Sequence, residues 1–319
     1  MNELLVVKNL KKYFKTKFGL VKAVDGITFH INEGETFALV GESGSGKSTT
    51  GHMIVGMYAP TSGEIYYKMN NISVHASKRP KNITREIQVV FQDPASSLNP
   101  SRYIKDIIGT PLKVYNLIRN STEVEQKVAD LLENVELPPE LYMYRKPREL
   151  GGGELQAIAI ARALSTNPKL IILDEPTSAL DVITQAKIIN LLLNLQKKHN
   201  LTYLFITHDL AVVRNIASRV AVMYLGKIVE TAPTIELFNH CRHPYSMMLF
   251  SSIPVISEDE KNLKPKKITS IGEIPSSLSI PPGCRFHTRC PYAEARCKVE
   301  EPSLKHINSG HIVACHLAE

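Results

Sequence analysis

Residues 36–57 constrain the fold of this chain more than any other stretch. Thr36-Phe37-Ala38-Leu39-Val40 is an apolar run of buried-strand length, and residues 47–57 read as a helix. Between them stand Gly41, Glu42, Ser43, Gly44, Ser45, Gly46, Lys47, Ser48 and Thr49, which fit the phosphate-loop pattern G-x-x-x-x-G-K-[ST]. The glycines let backbone N–H groups turn inward around an anion, where bulkier residues would obstruct. The helix that follows adds partial positive charge at its N-terminus. In such a loop Lys47 supplies a mobile cation for the outer phosphates, and the Ser48 hydroxyl can ligate Mg²⁺. Strand, glycine-rich turn and helix are the context the motif requires, so a nucleotide-binding α/β fold is expected.

The rest of the chain is organised around that loop. Residues 4–7 and 26–31 read as short strands, with further strand candidates at 63–67 and 87–91. Residues from about 103 to 166 carry apolar side chains at helical spacing, among them Ile104, Ile107, Ile108, Val124, Val128, Leu131 and Leu132. From residue 170 strand and helix alternate: strands at 170–173, 202–207 and 219–224, helices at 182–198 and 210–217. Such alternation predicts a mostly parallel sheet with helices on both faces. The helical block, about residues 93–166, is then an insertion between two halves of that sheet. After residue 253 proline, serine and charge dominate. The expected division is a core at 1–253 and a small C-terminal extension at 254–319, short of apolar core and suited to a metal staple.

At 319 residues the chain has no apolar run near the ~20 residues of a membrane span and no secretory signal at its start. A cytoplasmic location is the default. The net charge of +7 could point to nucleic acid, but the basic residues are scattered. The dense stretch at 264–267 is short, as a solvated linker would be, and no nucleic-acid partner is expected. Five cysteines are present, four of them beyond residue 283. In a cytosolic chain such clustering speaks for metal before disulfide.

A second acidic feature completes the nucleotide chemistry. The apolar run at 170–173 ends in Asp174 and Glu175. Asp174 can hold Mg²⁺ through water, and Glu175 would orient or deprotonate the attacking water beyond the γ-phosphate. The sequence continues Pro176-Thr177-Ser178-Ala179-Leu180-Asp181, and the whole run resembles the ATPase subunit of an ABC transporter. The resemblance extends from about residue 3 to 253. It implies a P-loop ATPase core with a helical subdomain, Gln92 as the Q-loop glutamine and a Mg²⁺ ligand, and His208 as the switch histidine on the γ-phosphate. It also implies Ser178 and Asp181 in the D-loop, and an aromatic at Tyr13 or Phe14 stacked on adenine, with Phe14 favoured by strand register. ATP and Mg²⁺ are the cofactors it implies. The family's signature, usually Leu-Ser-Gly-Gly-Gln, stands here as Leu150-Gly151-Gly152-Gly153-Glu154. Gly151 has no hydroxyl, and Glu154 brings negative charge where the family has an amide. In this family the signature closes over the partner subunit's ATP, so a heterodimer with unequal sites is expected.

The tail narrows the resemblance. His243-Pro244-Tyr245-Ser246 and the motifs around Cys284, Cys290, Cys297 and Cys315 are similar to the C-terminal extension of oligopeptide/dipeptide importer ATPases. The cysteine spacing is looser than the paired spacing of structural zinc sites and suits an iron–sulfur cluster. The subfamily's four-iron, four-sulfur cluster is implied by the resemblance, with zinc and plain reduced thiols as alternatives. Cys241 is expected to be structural. The implied partners are a second ABC ATPase, two membrane permeases and, indirectly, an extracytoplasmic substrate-binding protein, with the chain lying on the cytoplasmic face of the membrane. The competing expectations are an importer ATPase for nickel or oligosaccharide, a soluble ABC ATPase serving DNA repair or translation, and a non-hydrolysing binding subunit.

Overall fold

A computed structural model describes residues 2–252, 272–308 and 310–318. The predicted boundary at 253/254 and the basic stretch at 264–267 lie outside the described residues. The described chain forms two compact units, one from residues 1–32, 36–74 and 207–319, the other from 33–35 and 75–206.

The first unit opens with a long antiparallel hairpin, β1 (Glu3–Thr16) and β2 (Gly19–Asn32), in which Leu5 faces Ile31 and Val7 faces Phe29. β3 (Thr36–Val40) is buried along its whole length, and α1 (Lys47–Val55) follows the glycine-rich loop. β4 (Ser62–Tyr67) pairs on the other side of β1 and carries the short β5 (Asn70–Asn71). This sheet, ordered β2-β1-β4-β5, is antiparallel throughout. The strands expected to be short at 4–7 and 26–31 extend until a two-residue turn joins them. This sheet stands apart from the one holding the parallel pairs, β3 with Arg219–Tyr224, Ile87–Val90 with Leu170–Asp174, and Leu170–Asp174 with Thr202–Thr207. Alternation along both hairpin arms puts Leu5, Val7, Ile27, Phe29 and Ile31 in the core and lysines outside.

The second unit holds α2 (Lys81–Glu86), β6 (Ile87–Val90) and the helical block: α3 (Pro94–Ser97), α4 (Ile104–Val114), α5 (Ser121–Asn134), α6 (Pro139–Tyr142) and α7 (Gly152–Leu164). β7 (Leu170–Asp174), α8 (Val182–His199) and β8 (Thr202–Thr207) complete it. β6, β7 and β8 pair in parallel, with Val90 beside Leu173 and Asp174 beside Ile206. β7 and β8 are buried at every position, as strands covered on both faces are. α4 buries Ile104, Ile107, Ile108 and Leu112, α5 buries Val124, Val128, Leu131 and Leu132, and the two pack on each other and on α7. Each such side chain contributes roughly 1.5–3 kcal/mol when fully buried. The Asp93 and Asn120 side chains cap α3 and α5 by accepting N–H bonds from Ala95 and Thr122.

The first unit resumes with α9 (Leu210–Ile216) and β9 (Arg219–Tyr224), which runs parallel to β3 with Leu39 beside Ala221. β10 (Lys227–Pro233) turns back antiparallel on β9 through Leu225 and Gly226, both in the left-handed region. α10 (Thr234–His240) and α11 (Pro244–Ser251) follow. In the extension, β11 (Lys305–Asn308) pairs with β12 (His311–Val313), and β12 pairs with β10. Phe286, 1% exposed, packs with Tyr224, Tyr245 and Phe250 in one core cluster. The extension was expected to lack an apolar core; instead it shares that of the first unit.

Candidate functional site

In the first unit the phosphate loop is wedged between backbone segments. A Cβ at Gly41 (φ 149°) would lie 2.2 Å from the Met223 carbonyl oxygen, and one at Gly46 (φ 106°) 2.2 Å from that of Ala23. Both positions therefore require glycine. The Gly226 N–H donates to the Ser45 carbonyl at 2.9 Å, fixing the loop to the β9–β10 turn. Lys47 is buried; its Nζ donates to the Gly41 and Glu42 carbonyls at 2.8 and 3.0 Å. Ser48 and Thr49 open α1, where N–H groups and the positive helix end face the loop.

The two candidate adenine aromatics point to different partners. The Tyr13 hydroxyl donates to Asp25, which also receives the Arg285 guanidinium. Burial and the Asp25 bond push the Tyr13 phenol up to about 12. Burial works to raise Asp25, but the bonds from Tyr13 and Arg285 outweigh it and hold its carboxyl below the usual range. Phe14 packs edge-on to Tyr58 at 5.5 Å, with the Lys12 ammonium 5.2 Å from its ring. His208 is exposed just after β8, and the cap of α9 is Asp209, whose carboxylate accepts from Ala211 and Val212.

In the second unit Asp174 is buried at the end of β7. Glu175 adopts φ 47°, rare for a residue with a side chain, while its N–H donates to Ile206 O at 2.9 Å. Strain of this kind costs about 1–3 kcal/mol and persists where the surroundings dictate it. Gln92 Nε2 donates to Glu175 Oε2 at 3.0 Å, so the predicted Q-loop glutamine and the predicted base are in contact. Ser178 Oγ donates back to the Glu175 carbonyl at 3.1 Å. Asp181 caps α8, accepting from the Ile183 and Thr184 N–H groups and the Thr184 hydroxyl, and those bonds lower its carboxyl pKa.

Residues 150–154 lead into α7, with Gly151 at the cap position. Glu154 folds back on this helix end. Its carboxylate accepts the Gly151 N–H at 2.8 Å and the Tyr142 hydroxyl at 2.5 Å. The carboxylate predicted to repel a nucleotide is thus engaged by its own helix terminus, which it also neutralises in part.

The four tail cysteines lie in one neighbourhood of the first unit. The Cys284 N–H donates to Cys297 O at 2.9 Å. Burial pushes the Cys284 thiol up to about 11, and the other three thiols add to the rise. Burial likewise raises Cys290 and Cys315. Among the described residues, however, no three His, Cys, Asp or Glu side chains converge as a metal ion requires. The expected metal site is therefore not assembled here as a single-ion site, and the tight zinc geometry does not fit. Cys241 is buried in the core cluster, and burial pushes its thiol up to about 12.

Residues 24–178 match the family described as ABC transporter, and residues 229–297 match the oligopeptide/dipeptide transporter C-terminal region. The oligopeptide transport ATP-binding protein AppF of Bacillus subtilis is 47% identical over 98% of this chain and 97% of its own length. The dipeptide transport ATP-binding protein DppF of Haemophilus influenzae is 42% identical over 98% of this chain and 96% of its own. The chain belongs to the ABC transporter family. Among solved structures, the ATP-binding cassette MJ0796 in a dimeric post-hydrolysis state with ADP and Pi aligns at TM-score 0.65 and 31% identity, covering 72% of this chain and 98% of that one. This ABC protein is an ATPase of mixed α/β architecture, and no helix among its described residues is long and apolar enough to cross a membrane.

Sequence reasoning missed the residues of this ABC protein that hold the nucleotide loop from outside. The Tyr245 hydroxyl accepts the Glu42 N–H at 2.8 Å. Arg289 grips the Glu42 carboxylate through both terminal nitrogens, at 2.7 and 3.1 Å. An arginine beside Cys290, and another beside Cys284, were the signals the sequence offered.

Proposed function

We propose that this chain is the ATP-hydrolysing motor subunit of an ABC importer for di- or oligopeptides, peripheral to the cytoplasmic face of the membrane. The observation that carries the peptide class is the C-terminal region at 229–297, the part of the chain named for oligopeptide/dipeptide transporters. The names of the relatives, AppF and DppF, point the same way. The functional parts are a cassette at 1–253, with a helical subdomain at about 93–166 that meets two permeases, and the extension at 254–319.

Catalysis in this reading is positioning plus charge neutralisation. Phe14 stacks on adenine. The backbone of residues 41–49 and Lys47 cradle the phosphates. Glu175, held by Gln92, orients the attacking water and receives its proton, and His208 donates to the γ-phosphate. Ser48, Asp174 and Gln92 offer the hard oxygen donors that suit Mg²⁺, which when bound neutralises the phosphate oxygens. Cys284, Cys290, Cys297 and Cys315 would hold a four-iron, four-sulfur cluster, which when bound cross-links the extension.

The partner subunit is a second ABC ATPase with an intact signature, giving two unequal sites. Gly151 and Glu154 of this chain then weaken the site on the partner's loop, while Ser178 and Asp181 shape the join. The test is reconstitution with the permeases and binding protein in liposomes. ATP-dependent uptake of labelled peptide is the expected result. Uptake of nickel or oligosaccharide without peptide would replace the cargo assignment.

A further inference from the structure

The extension reaches into the nucleotide site through one short segment, residues 284–290. That segment carries two of the four cysteines, and each has an arginine as its chain neighbour: Cys284-Arg285 and Arg289-Cys290. Both arginines are buried, at 8% and 5% exposure, so both need anionic or carbonyl partners. Both find them around the phosphate loop. Arg285 binds the Asp25 carboxylate and the Leu225 carbonyl. Leu225 precedes Gly226, whose N–H anchors Ser45 O. Arg289 binds Glu42 in a two-point fork, with its guanidinium also over the Tyr224 and Phe286 rings at 5.9 and 5.7 Å. Arg289 donates both bonds to Glu42, and a guanidinium stays charged in proteins, so this counter-charge is permanent.

Glu42 makes this arrangement consequential. It places a carboxylate within a loop that must receive a polyanion. Left alone, that charge repels the phosphates across a few ångströms of partly dry protein. A planar guanidinium bound at both oxygens neutralises it and fixes its direction, which a lysine cannot do as well.

We propose that Arg289 is a positioning residue for nucleotide binding. It acts from the extension by neutralising Glu42 and, with Arg285, clasping the phosphate loop. The C-terminal segment is then part of the nucleotide site. This rests on the reading of residues 41–49 as an ATP site.

The test is equilibrium binding of a fluorescent ATP analogue to the full chain, wild type and variants, at low and high salt. Arg289→Ala should weaken binding about tenfold at low salt, because an unpaired carboxylate faces the phosphates. That loss should shrink in high salt. Glu42→Gln placed on Arg289→Ala should restore most of the affinity, since no charge is left to neutralise. Arg289→Lys, which keeps the charge without the fork, should fall between and covers the case where the alanine variant does not fold. Equal affinity for wild type, Arg289→Ala and Arg289→Lys overturns the clasp. A salt-independent loss that Glu42→Gln does not rescue also overturns it, in favour of a purely structural role. Failure of the wild type itself to bind would instead overturn the ATP-site reading.

Discussion

Replacing Glu154 by Gln should make the isolated subunit less stable and the assembled transporter faster. The Glu154 carboxylate makes two bonds, one to the Gly151 N–H at 2.8 Å and one to the Tyr142 hydroxyl at 2.5 Å. The short Tyr142 bond raises the phenol pKa, as a bond to a carboxylate does. A glutamine at 154 offers one acceptor oxygen and an amide that cannot accept. One bond is therefore lost and the other loses its charge assistance. The negative charge on the α7 N-terminus also goes, worth about 0.3–1 kcal/mol on an exposed helix end. Together the loss is about 1–2 kcal/mol, with half-buried partners keeping it at the lower end. For units of this size each kcal/mol lowers Tm by roughly 2–4 °C. Removing the same charge from the surface proposed to face a partner's nucleotide, together with Gly151→Ser, should raise ATP turnover of the complex. The assays are urea unfolding of the single subunit and steady-state ATPase of the reconstituted complex. A Glu154→Gln protein as stable as wild type would refute the capping role. A double variant with unchanged turnover would refute the weakened-site reasoning.

Glu175→Gln should cut ATPase in the complex by about a hundredfold or more while leaving nucleotide binding intact, read by phosphate release against equilibrium binding. Gly46→Ala should abolish nucleotide binding, because its Cβ would meet Ala23 O at 2.2 Å at φ 106°; tight binding by this variant would refute the packing of the loop. The pH profile of stability should fall on both sides of pH about 6.5. The His311 pKa is raised chiefly by its bond to Glu230 at 2.8 Å, so its stabilisation is whole below about 6.5 and is lost as pH rises through the elevated folded value. Burial pushes His243 down to about 4, so protonation favours the unfolded chain and stability falls as pH drops from about 6.5 toward 4. His311→Asn should flatten the alkaline limb and His243→Asn the acidic one in pH-dependent thermal melts, and limbs that persist in both variants would refute these assignments.

Local rules carried much of the architecture. Helical spacing in 104–132, the buried run at 170–173 and the strands at 202–207 and 219–224 depend on periodicities within a few residues, and the structure reproduces them. The hairpin arms were underestimated because charged residues on their outer face break the apolar run without breaking the backbone ladder. The tail was misjudged for a different reason. Phe286 is one aromatic among prolines and cysteines in the sequence, and only the folded chain sets it against Tyr224 and Tyr245 in the core. The proposed site divides in the same way. The loop at 41–49 is legible because turn, anion geometry and helix end are set by consecutive residues. The contact between Gln92 and Glu175, and the bond from Tyr142 to Glu154, join residues 83 and 12 positions apart and leave no local pattern.

The sequence by itself therefore determined a phosphate loop after a buried strand, an acidic strand end at Asp174-Glu175, an altered signature at 151 and 154, and a cysteine-bearing tail. Each is a property of residue type and short-range spacing. Tertiary structure alone decided that the tail joins the core of the phosphate-loop unit and that Arg285 and Arg289 clasp Asp25 and Glu42. It also decided that the Glu154 charge is turned back onto its own helix. These rest on partners as far as 260 residues apart in sequence, chosen by burial: a buried charge must find a counter-charge, and only the folded chain says which one is within reach.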